Sequence, residues 1–340
     1  MAKDSEPNQL VASARRRGDL DDLADALITH ANTLVEEGQI AEARLELDEA
    51  ASIHRRRGRS YDEARCTHLA ATLCRLEGDL DAAEARAEHA LQLTDSATPI
   101  AVSAATELGE IALTQGNSAE AVDAYGRALA AGEAIGMVET AQAALLRKRA
   151  AALADCGRHQ EATRDLEAAH ERLIKAGEQA AATRVLVEKA TALQQGGNVT
   201  EAENVIVGAM QIAEATEDHH ALADLHILQV TQAVERGNFT ASMAAAETAR
   251  TCALQALAPV SYVSAVIAIA ELAESSGDRL ATYEALVVGW VTLGDLLGRD
   301  VARATFEPKL RELRERWGDV PFADIKADYE ARRRAEMERY

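Results

Sequence analysis

The chain has 340 residues, 48% hydrophobic and 27% charged, with a formal net charge of -20. That mix folds rather than staying disordered. The acidity argues against nucleic acid or an anionic membrane as a general partner, because phosphate binding relies on clustered Lys and Arg. Aromatic residues make up only 3%, so the core must form by close approach of small side chains rather than around large rings.

Taken from the start, Met1 to Gln9 lack the apolar segment of a secretion signal, and no uninterrupted apolar run reaches membrane-spanning length. A cytoplasmic protein with no membrane association is expected. Residues 8 to 17 read as a short helix, the second half of an incomplete unit, because Ala14-Arg15-Arg16-Arg17-Gly18 parallels His54-Arg55-Arg56-Arg57-Gly58. Helix pairs are predicted at about 20 to 56, 60 to 94, 98 to 135, 138 to 175, 178 to 215, 218 to 255 and 259 to 297. Each pair turns at a glycine: Gly38, Gly78, Gly116, Gly157, Gly197, Gly237 and Gly277, spaced 40, 38, 41, 40, 40 and 40. A fixed period of this length marks a repeat array.

Small residues recur in register with those glycines. Five residues after each stands Ala43, Ala83, Ala121, Ala162, Ala202, Ser242 or Thr282; twelve after stands Ala50, Ala90, Ala128, Ala169, Ala209, Ala249 or Gly289. Both positions permit close helix approach in every unit. Directly after several turns come Asp79, Asn117, Asn198, Asn238 and Asp278, each a capping residue for the helix that follows. A second set of breakers, including Gly18, Gly58, Gly136, Gly177, Glu217 to His219 and Ala258-Pro259, separates one pair from the next.

Beyond Leu297 the period stops. Pro308 and Pro321 mark breaks, leaving helices at about 300 to 317 and 321 to 338. Nine of the eleven aromatic residues lie at or after Phe239, which reads as a thicker C-terminal cap or, alternatively, as an exposed patch for dimerisation. Residues 300 to 340 carry ten acidic and ten basic side chains, so the acidic excess lies in the repeats, where it coats solvated helix faces. The domain organisation expected is an array over residues 8 to 297 followed by capping helices and a charged tail over 298 to 340.

Sequence chemistry offers little to an enzyme. Cys66, Cys74, Cys156 and Cys252 form no metal spacing and read as free thiols. His219, His220, Asp224 and His226 come nearest to a metal cluster, but the first two are expected in the loop entering a helix, with Asp218 as its cap. No phosphate-cradling glycine loop or nucleophile elbow occurs. A non-enzymatic protein without cofactor or metal is expected.

Seven residues before each turn stands Ala31, Ala71, Gly109, Ala150, Ala190, Val230 or Ala270, and this third small position completes a pattern that resembles the tetratricopeptide repeat (TPR) from Gly18 into Leu297. The family's aromatic positions are mostly aliphatic here, Tyr125 excepted, and its proline after the second helix is absent. Units of about 40 residues look more like the long-helix variant in bacterial regulators related to the maltose activator. The resemblance implies an all-α, right-handed α-α superhelix, a TPR-like solenoid of about seven helix pairs with an N-terminal half repeat and C-terminal capping helices. It also implies that the first helix of each pair lines a concave surface that takes partner peptides or helices. Carried onto this sequence, the groove candidates are Asn32, Arg65, His68, Thr72, Arg75, Glu110, Arg147, Arg184 and Gln194.

The function expected is a protein-binding scaffold or adaptor of bacterial type, with another protein or peptide as partner and no nucleic acid or membrane. The alternatives are a regulator that senses a peptide or metabolite in the groove, and a structural homo-oligomer assembled through the aromatic C-terminal cap.

Overall fold

A computed structural model of the chain describes residues 6–338. Seventeen α-helices account for nearly all of them, and there is no strand among the described residues. A single helix, α1 (Glu6–Arg17), comes first. Four antiparallel pairs follow: α2 (Leu20–Glu36) with α3 (Ile40–Arg56), α4 (Ser60–Glu77) with α5 (Leu80–Gln92), α6 (Pro99–Thr114) with α7 (Ser118–Ala134), and α8 (Glu139–Asp155) with α9 (His159–Lys175). Then come α10 (Gln179–Gln195), α11 (Val199–Ala215), α12 (His219–Glu235), α13 (Phe239–Gln255), α14 (Pro259–Ser275) and α15 (Arg279–Leu297). The chain closes with α16 (Arg299–Trp317) and α17 (Asp319–Met337). By their internal contacts the helices fall into two compact units, residues 1–182 and 183–340.

The repeat is built on its turns and its alanines. All seven turn glycines have φ between +67° and +84°, the left-handed region that a side chain disfavours. The next residue then donates its N–H back to the helix just ended, as Asp79 does to Cys74 at 2.9 Å and Arg158 to Leu153 at 2.8 Å. Every residue at the three small positions is buried, from Ala31, Ala43 and Ala50 in the first pair to Ala270, Thr282 and Gly289 in the last. Size is matched locally. Where Tyr125 stands in place of the Leu, Ile or Ala of other units, the facing residue is Gly109, and a Cβ there would sit 2.5 Å from the Tyr125 ring.

Some expectations need correction. Asp79, Asn238 and Asp278 do cap, each accepting from the N–H three residues on. Asn117 and Asn198 do not, because a glutamate occupies that third position and draws the amide, Asn198 Nδ2 donating to Glu201 at 2.6 Å. Pro308 does not break α16, and Pro321 lies in the first turn of α17. The lost hydrogen bond at Pro308 costs about 3 kcal/mol, which burial of Ala302, Phe306, Leu313 and Trp317 on the same helix outweighs. His219 and His220 begin α12 rather than preceding it, since the Asp218 carboxylate accepts the Ala221 N–H at 3.0 Å and starts the helix there. α15 has the length and mean apolar composition to cross a membrane, though Glu284 and Asp295 interrupt its apolar run as the sequence reading has it, and Tyr283, Leu286 and Leu293 sit in the protein core.

The C-terminal aromatics belong chiefly to the core of the second unit. Tyr262, Tyr283, Phe306 and Trp317 are buried, and Trp290, Phe322 and Tyr329 pack against the same cluster. Tyr283 meets the Phe322 and Tyr329 rings edge-on at 5.5 and 5.6 Å, which docks α17. Phe239 is exposed, and Tyr340 lies outside the described residues. These rings therefore form a cap rather than an exposed aromatic patch, because α16 and α17 cover the open side of α15.

Candidate functional site

The groove candidates of the first unit lie on α2, α4, α6 and α8, the first helices of their pairs. On α4 a row runs Arg65, His68, Thr72, Arg75 at spacings of three and four, which places all four on one face. The structure ties the lower end of this row to its neighbours. Arg75 Nε donates to the buried Glu107 carboxylate on α6 at 2.6 Å. One turn further along α6, Glu110 accepts from the Tyr125 hydroxyl at 2.9 Å and from the Lys148 ammonium on α8. A polar ladder thus crosses three successive first helices.

Electrostatics of the ladder follow from its geometry. Burial alone would push the Glu110 carboxyl up, but the hydrogen bonds from Lys148 and Tyr125 outweigh it and hold the pKa below the ordinary value. Burial and the Glu110 bond push the Tyr125 hydroxyl up, so it stays a donor. His68 is pushed down by burial, with Glu107 pulling weakly the other way.

The upper end of the α4 row is less committed. Arg65 reaches only Asp62 at 3.9 Å, and its Nε is shielded from solvent without a hydrogen-bond partner. His68 Nδ1 is likewise shielded and unpartnered. Thr72 turns back to the His68 carbonyl at 3.5 Å. Asn32 on α2 is exposed, and Arg147 on α8 is half-buried and has an interaction partner. In the second unit Arg184 is exposed without an ion pair among the described residues, while Gln194 donates to the Leu228 carbonyl at 3.1 Å. The candidates on α4 and α6 are therefore brought together, Asn32 stands by itself, and Arg184 and Gln194 belong to a different unit.

Sequence reasoning missed Glu107 and Lys148. Glu107 stands three residues from Glu110 on α6, and that periodicity was the available signal, whereas Lys148 directly follows Arg147 on α8 and no helical spacing pointed to it. It also missed that many acidic residues do more than coat solvated faces. Asp21 pairs with Arg57 at the end of its own helix pair and with Arg59 at the start of the next, while Glu77 pairs with Arg44 and Asp48 with Arg86 across the same repeat boundary.

Three clefts open around α7 on the side of the second helices. One of about 420 Å³ lies between α5 and α7, with Glu84, Glu88, Glu120 and Asp123 over a floor of Leu108 and Ile111. A second of about 610 Å³ lies between α7 and α9 and is lined by four arginines. A third of about 390 Å³ lies beside the end of α5, which stops after 13 residues where most repeat helices run 17, and is lined by Ala101, Ala105, Ala131 and Ala134. Among the described residues no three His, Cys, Asp or Glu side chains gather to hold a metal ion. His220 pairs with Asp224 at 3.4 Å, and His226 with Gln229 at 2.9 Å.

This arrangement of helix pairs recurs in solved structures. A signal-transduction ATPase with a tetratricopeptide repeat sensor from Pyrococcus horikoshii superposes with a TM-score of 0.59 at 16% identity, covering 88% of this chain and 48% of that one. A tetratricopeptide repeat protein from Parabacteroides merdae gives 0.53 at 14% identity, covering 84% of this chain and 97% of the other. The chain has a TPR-like helical repeat fold. The apo form of RapI is also similar, with a TM-score of 0.54 and 12% identity over 84% of this chain and 99% of that one. At the sequence level, residues 132–207 match the model of the Sll0103-like C-terminal alpha-helical domain. No curated protein matches the chain.

Proposed function

We propose that the chain is a non-enzymatic scaffold or adaptor, cytoplasmic and of bacterial type, that binds a peptide or helix of a partner protein on the first-helix face of its TPR-like repeats. The observation that carries this reading is the α4 row: Arg65 Nε and His68 Nδ1 lie three residues apart on one face, shielded from water and without a partner. A buried polar atom left unpaired costs roughly 1–3 kcal/mol, a cost removed when the Arg65 and His68 side chains turn outward to meet a peptide backbone. Beneath them the Arg75, Glu107, Glu110 and Lys148 ladder holds the three first helices in register. The TPR-like fold supports a protein as the partner class.

The test begins with affinity capture from native extract, followed by purification of the retained protein and calorimetry against the wild type and an Arg65→Glu, His68→Ala variant. The adaptor reading expects a dissociation constant in the micromolar range or tighter that weakens at least about tenfold in the variant. Equal binding by both proteins removes the α4 face from the account. A second reading, a ligand-responsive regulator, draws on the clefts around α7, which are of a size to admit small molecules.

A further inference from the structure

We infer that the cleft between α7 and α9 is a binding site for a phosphate group. Its walls are the second helices of two successive pairs, with Arg127 on α7, Arg164 on α9, Arg158 at the start of α9 and Arg149 rising from α8. Four guanidinium groups line one cleft of a chain whose formal net charge is -20, against three carboxylates, Asp123, Glu161 and Asp165.

The pairing inside the cleft divides the arginines by role. Arg149 donates through two nitrogens to Asp165 at 2.6 and 2.7 Å, and Arg158 does the same to Glu161 at 2.7 Å. These two pairs fix their guanidinium planes and spend two of the three carboxylates. Arg127 and Arg164 remain, exposed and without an ion pair among the described residues, one on each wall. Among the described residues that line this cleft, the remaining acid is Asp123, and Arg127 also borders the cleft that holds Glu84, Glu88 and Glu120. Gly126 leaves the middle of the α7 wall without a side chain.

Two guanidinium forks without an ion pair, one from each wall of the same cleft, supported by two already oriented ones, offer more donors than a single carboxylate can accept. A phosphate monoester presents three terminal oxygens and a charge of roughly -1.5 to -2 at neutral pH, and guanidinium groups bind it in bidentate fashion. The cleft, at about 610 Å³, also has room for the group that carries the phosphate. The site is separate from the α4 residues on which the adaptor reading rests.

Calorimetry on the full chain tests the site with pyrophosphate, O-phosphoserine and malonate as probes. The wild type should bind both phosphate probes saturably. Arg127→Gln with Arg164→Gln should weaken them at least about tenfold, with an unchanged helical circular dichroism spectrum. A control, Arg332→Gln with Arg333→Gln on the exposed face of α17, should bind like the wild type. A phosphoserine decapeptide then separates the sources: tighter binding than O-phosphoserine assigns the phosphate to a protein, and equal or weaker binding assigns it to a small metabolite. The inference is overturned if neither phosphate probe binds, if malonate binds as tightly as pyrophosphate, or if the control pair weakens binding as much as the cleft pair. Any of these leaves the adaptor reading standing, since Arg65 and His68 are untouched.

Discussion

The first repeats and the C-terminal helices are held together by different means. From α1 to α6 the core separates into small clusters of alanine with Leu, Ile and Cys, such as Ala71, Ala83, Ala87 and Ile111. From α12 to α16 it is one cluster containing Tyr262, Tyr283, Phe306 and Trp317. Alanine contacts bring helices close but bury little area each, whereas one aromatic side chain buries roughly 150–250 Å². The alanine region adds polar lacing between repeats: Arg44 to Glu77, Arg75 to Glu107 and Arg86 to Asp48 each join residues 32 to 38 positions apart. Such pairs, mostly part-exposed, add little stability individually, but each is satisfied in one register of neighbouring helices only. Small residues thus permit the stacking, and charges choose its register.

The sharpest way to break the aromatic end is Phe306→Ala. Phe306 is fully buried, and its truncation should cost about 3–5 kcal/mol, read as a lowered urea midpoint. A loss under about 1 kcal/mol would mean that α16 is not held by its ring. At the alanine end the corresponding probe is size matching. Gly109→Ala forces a Cβ against Tyr125 and should cost about 1–3 kcal/mol. Adding Tyr125→Leu, the residue type at the equivalent positions Leu47 and Leu166, should recover much of that loss. A double variant no more stable than the single one would refute the pairing.

A smaller effect is expected at the irregular turns. Glu217 and Leu257 adopt φ of +53° and +50°, where Gly18, Gly58, Gly136 and Gly177 stand between earlier pairs. Leu257 is 70% exposed, so Leu257→Gly removes backbone strain without opening the core. A gain of about 0.5–1 kcal/mol in thermal unfolding is expected; a loss would show that the side chain matters more than the φ angle.

The finest probe is pH. His68 has its pKa lowered in the folded state by burial, so the unfolded chain binds a proton more readily and stability falls as pH drops below about 6.5. Glu110 acts in a lower window: its pKa is depressed, so its contribution persists above the ordinary carboxylate range and fades as pH falls through the depressed value. His68→Phe should therefore flatten the stability profile just below about pH 6.5 and leave the acid limb in place. An unchanged slope near pH 6 would exclude His68 as its source.

Much of this architecture could be read from residues alone, because local rules decide it. A glycine at +67° to +84° ends a helix wherever it stands, and alanines at fixed offsets from it leave one way for the helices to approach. Helix ends came within a few residues of expectation for the same reason. Where side chains choose between partners, local rules failed: Asn117 and Asn198 turned to glutamates instead of capping, and Pro308 was carried inside α16 by the packing of Phe306 and Trp317. The candidate site divides along the same line. Sequence periodicity placed Arg65, His68, Thr72 and Arg75 in one row on α4. Only the tertiary structure decided that Arg75 is bound to Glu107, that Lys148 joins Glu110, and that Arg127 and Arg164 share a cleft. Helix formation is decided within a few residues, whereas charge pairing depends on which surfaces meet across distances of thirty or more.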